Sequence, residues 1–211
     1  MGKQSPASSE RRSFLTRLNA GAAALAMGGV AMAQVKSAPA ARWEPARHDK
    51  DDWLDELPGK HRLVFDTITE DGLRDALLFA NNFMIVNRAD YGLENKDLAV
   101  IVVVRHLSTA FGYNNEMWAK YGASMMGVKE ASKVNARAAA MDSLSKQGVQ
   151  FAVCAMATRA NAGSIARAVG GTTDAIFAEL TANLVSNARM VPAGIVAVSR
   201  AQERGFSLVS A

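Results

Sequence analysis

The chain has 211 residues, 49% of them hydrophobic and 21% charged, which is enough for one domain with a sizeable core and too apolar for general disorder. Three histidines and one cysteine exclude a zinc finger, a thiolate cluster, an intrachain disulfide and an internal CxxC pair. The formal charge is +4, but residues 1–33 hold four basic and one acidic side chain, so the remainder carries 20 basic and 19 acidic residues. A near-neutral balance gives no long-range pull toward nucleic acid or anionic lipid. No apolar run reaches about 18 residues, so no transmembrane anchor is expected.

Residues 1–33 have the three parts of an export signal. Arg11 and Arg12 stand before Ser13-Phe14-Leu15, a weakly apolar Ala/Gly-rich run follows, and Ala31-Met32-Ala33 forms a small-residue cleavage box. The arginine pair resembles the twin-arginine signal, with Glu10 and Thr16 departing from the usual pattern. That resemblance implies a folded protein passed by the twin-arginine export machinery to a bacterial periplasm, starting at Gln34. An alanine-rich N-terminal helix on a cytoplasmic protein is the alternative.

Residues 34–60 form a lead-in arm. Trp43, Trp53, Leu54 and Leu57 lie among Asp49, Asp51, Asp52, Asp55 and Glu56. The arm either lies against the domain or a neighbouring subunit, or is a surface loop with incidental anchors. Pro58-Gly59 marks a turn.

His61–Asp66 reads as the first strand and Leu73 to about Arg88 as a helix, its apolar residues returning every three or four positions. Leu98–Val104, LAVIVVV, is a continuous β-branched run that suits a central parallel strand buried on both faces. From Asn114 to Tyr121 the spacing suits a helix. A helix over Ala131–Lys146 precedes a second strand, Val149–Ala155. Helices are expected over Asn161–Val169 and Asp174–Ala188, the latter capped by Thr172 or Thr173. Val191-Pro192-Ala193-Gly194 is a turn. Ile195–Val198 is either a strand or the start of a helix that runs to Gly205, and Phe206–Val209 is a last strand. Alternation over about 150 residues predicts an α/β domain with a mostly parallel sheet and helices on both faces.

Ligands of parallel sheets meet the carboxyl ends of the strands. That rule singles out Arg105 and His106 after one strand and Cys154 at the end of another. Asn114, Asn115, Trp118 and Tyr121 offer amides and aromatic edges that could enclose a small ligand. They could equally pack and cap. His106 with Met125 or Met126 could ligate haem or a metal, a weak pattern with one histidine. Cys154 is either a small buried hydrophobe or a reactive thiol at the strand's lip, its thiolate favoured by His106 or Arg159.

The strand ending in Cys154, followed by Thr158-Arg159-Ala160-Asn161-Ala162, resembles the cysteine loop of the DsrE/DsrF-like sulfur-relay family. Val191–Phe206 is similar to that family's closing segment, a Pro-Ala-Gly turn before a Gln-bearing helix and a short aromatic strand. The likeness covers about residues 60–211, and its nearest form is the exported branch. It implies a three-layer Rossmann-like fold over 61–211, a homo-oligomer, and a Cys154 that carries a persulfide from a small sulfur species. The chain departs from the relay loop in having no Arg-Gly continuation and no second cysteine. A small-ligand-binding protein or a structural oligomeric subunit is the alternative. The residues name no cofactor and no metal.

Overall fold

Seven residues, Leu98–Val104, are buried along their whole length and form the middle strand of a five-stranded sheet. The computed structural model describes residues 43–211. Within Pro45–Ala211 the strands are β1 (His61–Thr67), β2 (Leu98–Val104), β3 (Gln150–Cys154), β4 (Ala188–Val191) and β5 (Ser207–Ser210). The helices are α1 (Glu70–Ala89), α2 (Asn115–Met126), α3 (Ala138–Ser145), α4 (Ala155–Val169), α5 (Thr173–Ala182) and α6 (Gly194–Gln202). Short 3-10 turns cover Asp49–Leu54, Asn95–Asp97 and His106–Gly112.

The order across the sheet is β4-β3-β2-β1-β5 and every pairing is parallel. Successive steps from β1 to β4 run in one direction, so right-handed crossovers put α1 to α5 on one face. The step from β4 to β5 runs back over the sheet and puts α6 on the other. Two cores result. Phe65, Val100, Val102, Phe151 and Val153 face Leu73, Met84, Trp118, Met141 and Ile165. Val64, Ala99, Ile101, Val103 and Ala152 face Val198, Ala201, Trp53 and Leu54. Alternate residues of β2 therefore enter different cores. Each buried Val, Ile or Leu there contributes about 1.5–3 kcal/mol. The result is a three-layer α/β fold with a parallel central sheet.

The second layer is completed by the lead-in segment. Arg189 stacks over the Trp53 ring at 4.4 Å, and the buried Arg204 donates to Asp55 at 3.0 Å. Arg62 donates to the carbonyls of Leu54, Leu57 and Gly59. Trp43 is exposed.

Several boundaries differ from the sequence expectation. The helix expected over Ala131–Lys146 is shortened to Ala138–Ser145. Asn135 explains this: its amide donates to the carbonyls of Phe111 and Tyr113, and its oxygen accepts from the Arg137 N–H, holding the preceding segment as a loop. The helix expected from Asn161 starts six residues earlier, at Ala155, with Cys154 as both last strand residue and N-cap. The helix expected to reach Ala188 ends at Ala182, and Ala188–Val191 is an edge strand the sequence reading lacked. Ile195–Val198 belongs to a helix, α6.

Candidate functional site

β1 and β2 end flush, with Asp66 beside Val103 and Thr67 beside Val104. Their last residues carry the polar groups that shape the rim. The buried Thr67 hydroxyl donates to the Val103 carbonyl at 2.8 Å and meets the Ser108 hydroxyl at 3.0 Å. Ser108 in turn accepts from the Arg105 N–H at 3.0 Å. This network stops β2 and turns the chain into the 3-10 segment. The turn requires His106 to adopt φ +56°, a left-handed conformation uncommon for a residue with a side chain, though histidine is among those enriched there.

Arg105 forms a two-pronged ion pair with Asp66: Nε donates to Oδ1 at 2.6 Å and Nη2 to Oδ2 at 2.7 Å. The hydrogen bonds to Asp66 raise the arginine's pKa further above its ordinary value, so its charge is permanent. Nη1 takes no hydrogen bond among the described residues. Gly194 closes the other side, since a Cβ there would lie 2.6 Å from Arg105 Cβ. α6 can start against Arg105 because Gly194 has no side chain.

Arg105, His106, Cys154, Met156, Ala157, Ala193, Gly194 and Ile195 line one open cleft of about 360 Å³. Two helices begin at it, α4 at Ala155 and α6 at Gly194, and neither N-cap residue, Cys154 or Ala193, supplies a side-chain hydrogen bond. The cleft therefore offers an arginine, an imidazole and two sets of first-turn N–H groups.

The structure brings Arg105, His106 and Cys154 into this cleft and leaves the other sequence candidates outside its lining. Asn114 caps α2 by accepting from the Met117 N–H and donates to Asn183. Asn115 accepts from the Asn135 N–H. The Trp118 ring is buried, packs 5.1 Å from Phe111 and donates to the Ala110 carbonyl. The Tyr121 hydroxyl donates to Glu179 at 2.7 Å. Arg159 lies within α4, where it pairs with Asp174 at 2.7 Å and stacks on Phe177 at 4.4 Å. Met125 and Met126 lie outside the cleft lining, and among the described residues no three His, Cys, Asp or Glu side chains gather as a metal site.

The sequence reading missed Asp66, Met156 and Gly194. Asp66 was visible as a carboxylate at the end of an otherwise apolar strand. Gly194 was visible only as part of a turn.

The persulfide function is overturned. Cys154 is the chain's single cysteine and is buried, only 6% exposed, with no second thiol to receive sulfur. A relay needs an accessible thiolate attacked by, or passed to, another sulfur.

No family model matches the chain, and no curated protein does. Among solved structures the chain is similar to a protein of unknown function, MTH1491, from Methanobacterium thermoautotrophicum, at 20% identity and a TM-score of 0.42, over 72% of this chain and 100% of that one. The sulfur-metabolism reading finds no support in these comparisons and falls with the buried Cys154, while the export-signal reading concerns residues 1–33, which lie outside the described residues. No helix among the described residues is long and apolar enough to cross a membrane.

Proposed function

We propose that this chain is a small-anion-binding α/β module whose site is the cleft at the carboxyl ends of β2 and β3. One observation carries the reading: the starts of α4 and α6 meet Arg105 and His106 around a single cavity. Helix N-termini present unsatisfied N–H groups and the positive end of the backbone dipole, which favours bound anions. Arg105 adds a guanidinium that Asp66 orients and partly neutralises, with Nη1 left to donate to a ligand. His106 adds a donor held at the tip of the central strand by its left-handed backbone. Cys154 serves as a small wall residue and takes no chemical part.

The test is a titration of the full chain with inorganic phosphate, followed by amide NMR. Binding with the largest shifts at Ala155–Ala157 and Gly194–Val196, weakened in Arg105→Lys, supports the reading. Shifts scattered over surface lysines, or no saturation, overturn it.

A further inference from the structure

The walls of the cleft differ in character from its floor. Met156 and Ile195, which line it, are 68% and 58% exposed, and Leu107, next to His106, is 64% exposed. Ile68, which follows the last residue of β1, and Val196, next to Ile195 in α6, are exposed as well. The Leu107 N–H donates to the Ile68 carbonyl at 3.0 Å, which joins the loops after β1 and β2 on one side. This apolar collar is thus carried by two loops and two helix starts, which follow the carboxyl ends of β1, β2, β3 and β4 on the same edge of the sheet as the cleft.

Contiguous exposed apolar side chains next to a pocket mark an interaction site. The occupant is argued from size and charge. Five side chains, each already partly covered, offer less than the about 800 Å² per partner that a stable protein interface uses. A cavity of about 360 Å³ falls in the range of small-molecule sites. Its lining holds Arg105 and His106; the Asp66 carboxylate beside them is taken up by Arg105 Nε and Nη2, which leaves Nη1 without a hydrogen-bond partner among the described residues.

We infer that the ligand is a small amphiphile, an anionic head seated by Arg105 and His106 and an aliphatic body laid across Leu107, Met156 and Ile195. This rests on the anion-binding reading and names the ligand class for the same site.

The test is calorimetry on the full chain with a series of linear carboxylates, acetate to octanoate, kept below their micelle concentrations. The expected result is about threefold to fourfold tighter binding per added methylene until the collar is spanned. Met156→Ser and Ile195→Ser should each flatten that slope, and hexylammonium should not bind. Inorganic phosphate and acetate binding without any gain from chain length overturns the amphiphile and leaves the anion site standing. Failure of every anion overturns both. Equal binding of hexylammonium overturns the assigned head. Sedimentation showing an oligomer that Ile195→Glu disperses also overturns the inference, because the collar then belongs to a second copy.

Discussion

Gly194 and Arg105 touch with no room for another atom: a Cβ on Gly194 would fall 2.6 Å from Arg105 Cβ and 2.9 Å from its Cδ. The contact joins the start of α6 to the residue after β2, and Asp66 pins Arg105 from β1. Three separate stretches of chain therefore set the floor of the cleft. Alanine at position 194 must move either the helix or the arginine. The atom nearest to it belongs to the stem of Arg105, beside the backbone, where little give exists. Gly194→Ala should lower stability by about 1–3 kcal/mol, as overpacking does. In a helix free of such contact the same change would stabilise by up to about 1 kcal/mol. The sign of the shift in denaturant midpoint, at constant m-value, separates the two cases. An unchanged or higher midpoint would show that the contact is slack.

The left-handed turn at His106 makes a prediction in which stability and binding part company. Glycine enters this region freely, whereas alanine there is disfavoured by about 1–2 kcal/mol. His106→Gly should therefore be more stable than His106→Ala by about 1 kcal/mol. Both remove the imidazole, so both should weaken phosphate binding by similar factors. Equal midpoints for the two variants would mean that φ at this position is not held at +56°.

The central strand was legible because burial on both faces leaves a plain mark, seven apolar residues in a row with Val and Ile dominant. β4 left no such mark. It is four residues long at a sheet edge, and Arg189 serves it by lying over Trp53, a partner 136 positions away that no local pattern announces. At the rim, the strand-end rule found Arg105, His106 and Cys154, since it depends only on where strands stop. It could not find Asp66, whose role comes from the register of β1 against β2. Asn114, Trp118 and Tyr121 have the residue types of a ligand cage. Their helix faces the main core, and that phase is set by Phe111 and Glu179 from elsewhere in the chain. The start of α4 was placed late because no turn separates it from β3.

Glu179 ties α5 to α2, accepting from the Tyr121 hydroxyl at 2.7 Å and from Lys120. These hydrogen bonds, that from Lys120 first, hold its carboxyl below the usual value. A carboxylate lowered in the folded state adds stability above its unfolded pKa, and that stability fades as pH falls through the folded value. Glu179→Gln should therefore lose stability at neutral pH and show a shallower acid limb than the parent. The effect is modest because the side chain is 31% exposed and solvent screens the pair. Parallel acid limbs in urea titrations of the two proteins would sink the assignment.

Tyr113 has the opposite pH signature. Its ring is fully buried, and its hydroxyl donates to Thr158 at 2.9 Å, which donates to the Cys154 carbonyl at 2.9 Å. Burial pushes the phenol up to about 12, against weaker opposing pulls from its hydrogen bonds. A phenol raised on folding keeps its proton while the unfolded chain has lost it. Between the ordinary value near 10 and about 12 the native state binds more protons, so stability falls as pH rises through that window. The loss amounts to roughly 3 kcal/mol across the window. Below it the contribution is complete. Tyr113→Phe gives up a buried hydrogen bond, about 1 kcal/mol at neutral pH, but removes the alkaline penalty. The stability curves of the two proteins should approach each other with rising pH and cross before the end of the window. Tyrosinate absorbance supplies the second check. The signal from Tyr113 should appear together with the loss of helical circular dichroism. A Tyr113→Phe curve that runs parallel to the parent's above pH 10 would mean that the phenol ionises without unfolding the domain, and the buried link from α4 to the end of β3 would then have to be open to water.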